Sequence, residues 1–147
     1  MEQPSIDNAG ISQLIPHAGN MVLLDEINHW NNDNITATVF AKPLRDNPLI
    51  EASDNNTFNS LLLIEYAAQA AAVHAALLAS GLGAQRPAYI GATKNINIQK
   101  NTVEPTQPIT IHAEMLLANS NGAIYQIDCQ QNKETIINAK LILSQPA

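Results

Sequence analysis

Cysteine is almost missing. Cys129 is the single one in 147 residues, so an internal disulfide is excluded and there is no cysteine spacing for a metal site. Cations are scarce as well. Seven Lys and Arg stand against 13 Asp and Glu, a formal net charge of −6, which leaves no basic footprint for nucleic acid. The four histidines (His17, His29, His74, His112) are scattered and lack the spacing of a zinc site. Internal repeats and low-complexity tracts are also missing. The start MEQPSIDNAG carries no basic stretch followed by an apolar run, so no signal peptide is expected and the cytoplasm is the default compartment. At this length one domain over 1–147 with a single sizeable core is expected.

What is abundant is alanine, concentrated in the stretch NSLLLIEYAAQAAAVHAALLAS over 59–80, which holds eight alanines and no Gly or Pro. Ala, Leu, Gln and Glu are strong helix formers, which predicts a helix of about six turns, roughly 30 Å long. Thr57 or Asn59 can cap its start, and Gly81 stands where a left-handed residue ends a helix. Apolar side chains surround nearly its whole circumference, the pattern of a buried helix. A membrane span is disfavoured by Glu65, Gln69, His74 and two serines, and by Ala outnumbering Leu. Glu65 interrupts the apolar run, with Gln69 one turn later. A lone carboxylate in such a helix must be paired, protonated or functional.

Around this helix the chain reads mostly as strands. A polar start over 1–8 leads to a short helical piece over 9–15, stopped before Pro16. Residues 21–30 and 35–41 read as a hairpin around the turn NNDN, and 42–56 as a connecting loop. Beyond the helix, strands are expected over 87–99, 108–118, 123–131 and 135–144. Turns separate them at 101–107, at NSNG (119–122) and at 132–134. Two strands, a long helix and four strands make an α+β protein in which an antiparallel sheet covers one apolar helix. A helix apolar on every side needs more than one cover, so the sheet must curl around it or a second subunit must close the remainder.

Two stretches carry a family resemblance. Leu14-Ile15-Pro16-His17-Ala18-Gly19-Asn20-Met21-Val22-Leu23-Leu24-Asp25 looks like the Pro-His loop and following apolar strand of the hotdog-fold 3-hydroxyacyl-carrier-protein dehydratases of the FabA/FabZ type. Ile64-Glu65-Tyr66-Ala67-Ala68-Gln69-Ala70-Ala71-Ala72 looks like that family's helix motif, an acidic residue followed four positions later by Gln. Within the family the chain most resembles the ApeP-like small dehydratase subunits of aryl-polyene pathways, which end similarly in Gln-Pro, here Gln145-Pro146. The resemblance implies a hotdog fold, a long central helix wrapped by a curved antiparallel sheet. It departs at Ala52 to Asn59, which replaces the usual His-Phe-Pro-Gly approach to the helix, so the glycine N–H that faces the thioester oxygen has no counterpart.

The implied reaction removes water from a 3-hydroxyacyl thioester, which requires a base near C2, an acid near the C3 hydroxyl and donors toward the thioester oxygen. By resemblance His17 is the base and Glu65 the acid, its proton held more readily by burial in the helix. Gln69 would orient either group, and backbone N–H groups from Phe58 through Asn59 and Ser60 to Leu61 are candidates for the oxyanion role. In this family the His and the Glu of one site come from different subunits, which implies a homodimer or a heterodimer with a second hotdog subunit. The expected partner is an acyl carrier protein with a 4′-phosphopantetheine-linked substrate, docked through Arg86, Lys94 and Lys100. Neither metal nor other cofactor, nucleic acid nor membrane is implied. Competing readings are a non-catalytic or half-site subunit of a hotdog heterodimer and a hotdog acyl thioesterase. His74, about 900° around the helix from Glu65, reads as a core or interface residue. His29, His112 and Cys129 read as structural.

Overall fold

The computed structural model describes residues 5–14, 22–41, 58–79, 89–104 and 106–144. In chain order these form β1 (Ile6–Asp7), α1 (Asn8–Ser12), β2 (Glu26–Trp30), β3 (Asn34–Val39), β4 (Phe58–Asn59), a 3-10 turn (Ser60–Leu62), α2 (Leu63–Ala79), β5 (Tyr89–Ile98), β6 (Thr102–Val103), β7 (Ile109–Asn119), β8 (Gly122–Gln131) and β9 (Glu134–Ser144). Seven strands make one sheet in the order β1-β2-β3-β7-β8-β9-β5, every neighbouring pair antiparallel. β4 and β6 form a separate two-stranded ladder at the start of the helix.

The strands alternate as a sheet with one wet face must. Ile109, Ile111 and Ala113 of β7 point inward, as do Tyr125, Ile127 and Cys129 of β8 and Ile137, Ala139 and Leu141 of β9; all are buried. Against them α2 sets Leu63, Tyr66, Ala67, Ala70, Ala71 and Val73, and it contacts β3, β5, β7, β8 and β9. Each fully buried Ile or Leu contributes on the order of 1.5–3 kcal/mol. The helix from Ser60 to Leu78 is long and apolar enough to cross a membrane, with mean hydropathy 1.6, yet here half of it is buried against the chain's own core.

Turn chemistry sets the register. Asn31 Oδ1 accepts from the N–H groups of Asp33 and Asn34 at 2.9 and 2.8 Å, which closes the β2–β3 hairpin. Asn132 and Lys133, at φ 54° and 66°, form the two-residue loop between β8 and β9, the left-handed geometry that Asn tolerates best. At Gly122 any Cβ would collide with the carbonyl of Leu143, so this position demands glycine.

Several elements differ from the sequence expectation. The strand expected over 21–30 pairs only from Glu26 on; Val22, Leu23 and Leu24 are buried without joining the ladder. β1, β4 and β6 have two residues each, too short for any periodicity to announce them. The helix is not covered all round. Leu61, Glu65 and Leu78 are exposed, and the alanines between them at Ala68, Ala72 and Ala75 are only half-buried, one continuous open stripe. β5 pairs only with β9 among the described residues, and it carries exposed Ile96 and Ile98.

Candidate active site

The helix start is built by Asn59. Its backbone is extended and its Oδ1 accepts the N–H of Leu61 at 2.9 Å, satisfying one of the donors a helix leaves unpaired. The capping reading of Asn59 therefore holds; Thr57 and Gly81 lie outside the described residues. The N–H of Ser60 donates to the carbonyl of Asn101 at 2.9 Å, and Phe58 and Asn59 lie in register with Val103 and Thr102. These contacts correct the expected oxyanion role at Ser60 and Leu61. Both N–H groups already have acceptors within the chain, because the short β4–β6 ladder occupies the helix entrance. The Ser60 hydroxyl is fully buried and has no hydrogen-bond partner among the described residues.

Glu65 lies one turn into the helix, on the open stripe and exposed. The expected burial of its carboxyl is therefore not found within one chain. Gln69 follows after about 400° of turn, some 40° further round, and that rotation carries it under the sheet to 2 % exposure. The two side chains do not share a face. Instead, Gln69 Oε1 accepts the backbone N–H of Leu23 at 2.8 Å in the core. Leu23 is six residues beyond His17, so the helix glutamine grips the segment that emerges from the Pro-His loop. His17 itself lies outside the described residues, as does Arg86.

The carrier-docking cations separate. Lys100 forms an ion pair with Glu134 at 2.9 Å, both side chains exposed. Lys94 stands exposed on β5, directly across the ladder from Lys140.

On the far side of the helix from Glu65, His74 is fully buried. Its Nε2 lies 2.7 Å from the carbonyl of Asn31 and its Nδ1 2.6 Å from the Tyr125 hydroxyl. A carbonyl only accepts, so Nε2 carries the proton and Tyr125 donates to Nδ1. Trp30 and Tyr125 both meet the imidazole edge-on. Burial lowers the His74 pKa, partly opposed by the Asn31 carbonyl and the charge of Asp33. Burial likewise pushes the phenol of Tyr125 and the thiol of Cys129 up. The structural readings of His74 and Cys129 hold, and neither group can serve chemistry on the open stripe. Tyr125 was not singled out in the sequence, although period-2 alternation along β8 aims it inward.

One long helix held across a seven-stranded antiparallel sheet, with a single carboxylate on its uncovered stripe, defines a hotdog domain. The chain belongs to the ApeP-like family, ApeP dehydratase, whose pattern matches residues 9–147. The dehydratase heterocomplex ApeI:P from Xenorhabdus doucetiae has the same fold, with TM-score 0.83 at 17% identity over 93% of this chain and 91% of that one. Thioesterase HI1161 from Haemophilus influenzae is similar at TM-score 0.62 and 17% identity, covering 95% of this chain and 90% of that one. Thioesterase PA1618 from Pseudomonas aeruginosa is similar at TM-score 0.62 and 11% identity, covering 95% and 93%. No curated protein sequence matches the chain.

Proposed function

We propose that this chain dehydrates a 3-hydroxyacyl thioester, held on the 4′-phosphopantetheine arm of an acyl carrier protein, to the trans-2-enoyl thioester. The setting would be cytoplasmic aryl-polyene-type synthesis. The observation that carries the reading is Glu65, exposed on an otherwise apolar helix stripe, while β5 pairs only with β9 among the described residues. A carboxyl in that position is completed by whatever covers the stripe, and a second hotdog subunit both covers it and brings its own Pro-His loop. That a similar structure is a dehydratase heterocomplex supports a two-subunit assembly. His17 then takes the C2 proton as the C3–O bond breaks, and Glu65 supplies the proton that lets the hydroxyl leave as water. Proton return from the imidazolium to the carboxylate resets the site.

The committed N–H groups of Ser60 and Leu61 favour one second reading, a half-site subunit whose oxyanion donors come from its partner. The test is mass analysis of a 3-hydroxyacyl-carrier protein incubated with the protein, alone and co-expressed with a second hotdog subunit, as wild type, His17→Ala and Glu65→Gln. Loss of one water, reduced at least about 100-fold in either variant, supports the proposal. Activity only with the partner and indifferent to both substitutions supports the half-site reading. Release of free acid would assign a thioesterase instead.

A further inference from the structure

On the solvent face of the sheet, Lys94 of β5 and Lys140 of β9 stand directly opposite each other. Like charges across a ladder repel, and strands are only about 4.8 Å apart. Neither ammonium has an ion pair or hydrogen bond among the described residues, whereas Lys100 is matched with Glu134. A chain with 13 carboxylates and a net charge of −6 leaves these two cations facing each other unneutralised. The carboxylates nearest in the ladder are turned to other partners: Glu114 lies two strands from Lys140, opposite Gln126, and Asp128 accepts from Gln130 Nε2 at 2.5 Å.

One pleat further along the same face, about 7 Å away, the polar surface gives way to an apolar row. Leu117, Ile124, Ile142 and Ala92 are successive cross-strand partners over β7, β8, β9 and β5. Leu117 is 57% exposed and Leu116 beside it 48%. Leu117, Ile124 and Ile142, with the Gly122 turn and Leu143, line a groove of about 270 Å³.

We propose that this lysine pair and the adjoining groove are a docking surface for an acidic amphipathic helix of the carrier protein, a deeper form of the carrier-bound reading above. Charge complementarity selects the occupant. Two unpaired cations spaced like neighbouring strands suit carboxylates one helical turn apart, which are about 5–6 Å from each other. The apolar row at the next pleat receives an aliphatic side chain from the same helix. Two lysines on a strongly acidic chain are too few for nucleic acid. Lys94 lies on β5, which pairs only with β9 among the described residues.

The test titrates a fluorescently labelled acyl carrier protein, in its 4′-phosphopantetheinylated form, against the wild type, K94Q/K140Q, Leu117→Gln and a Lys133→Gln control. Circular dichroism melts check that each variant folds. The surface predicts about a tenfold loss of affinity in K94Q/K140Q and in Leu117→Gln. It also predicts a weaker salt dependence in K94Q/K140Q and no change in the control. Unchanged affinity in K94Q/K140Q, or an equal loss in the control, overturns it. A shift in oligomeric state of K94Q/K140Q by sedimentation would assign the face to self-association and overturn it too. Parallel assays with the same acyl group on pantetheine alone separate the two claims. If neither substrate loses water while binding still follows the lysines, the dehydratase reading fails and the surface stands. If pantetheine-bound and carrier-bound substrates both react but binding ignores the lysines, the surface alone fails.

Discussion

The Gln69 carboxamide does two things with one side chain. Its oxygen satisfies a backbone N–H at Leu23 that would otherwise be buried without an acceptor, and it fixes the chain six residues past His17 to the helix that carries Glu65. Gln69→Leu should destabilise the protein by about 1–3 kcal/mol, the range for a stranded buried donor. It should also lower kcat, while Gln69→Glu, which keeps an acceptor oxygen, retains more of both. Urea denaturation alongside kinetics checks this, and equal stability of Gln69→Leu and wild type would contradict it. The buried His74 makes a pH prediction. Its folded pKa is lowered from 6.5, so below about pH 6.5 the unfolded chain binds a proton that the folded chain resists. Its contribution to stability is therefore complete above pH 6.5 and declines as pH falls toward the folded pKa. Melting temperatures from pH 8 to pH 5 should fall more steeply for wild type than for His74→Gln; parallel curves would refute the assignment. Tyr125→Phe, which strips the donor from His74 Nδ1, should cost about 1–3 kcal/mol at pH 7.

At the scale of elements, the open stripe of α2 is the surface a second subunit would cover. Ala72→Arg adds a charge on that stripe without entering the core, so the isolated chain should melt within about 0.5 kcal/mol of wild type. Sedimentation analysis should show its association blocked. Ala70→Leu, two residues back and about 200° around the helix on the buried side, should instead destabilise by about 1–3 kcal/mol through overpacking. Gly122→Ala should destabilise by a similar amount, since the new methyl meets the Leu143 carbonyl. The long elements were legible in the sequence because their signals are long. The alanine run marked α2, and alternation with NSNG and the Asn132 turn marked β7, β8 and β9. The two-residue strands were not legible, having no period to show. The covered helix entrance was missed because it depends on β6 meeting β4, with Thr102 paired to Asn59 43 residues earlier in the chain.

For the whole molecule, an apolar core lies between helix and sheet, while the candidate acid and the half-buried alanines lie on the uncovered side of α2. Sequence reading singled out Glu65 and Gln69 as the polar pair of the α2 motif. It could not separate their roles, because a 40° rotation decides which is buried, and only the placement of the sheet sets that boundary. Likewise, Lys94 and Lys100 look alike in sequence, and only strand register gives one a carboxylate and the other a second lysine. Mass analysis of a 3-hydroxyacyl-carrier protein treated with wild type, His17→Ala and Glu65→Gln, each alone and with a hotdog partner, tests the central claim most directly. The account predicts loss of one water by the wild-type assembly, reduced at least about 100-fold in both variants. Full water loss with His17→Ala and Glu65→Gln in place would contradict it.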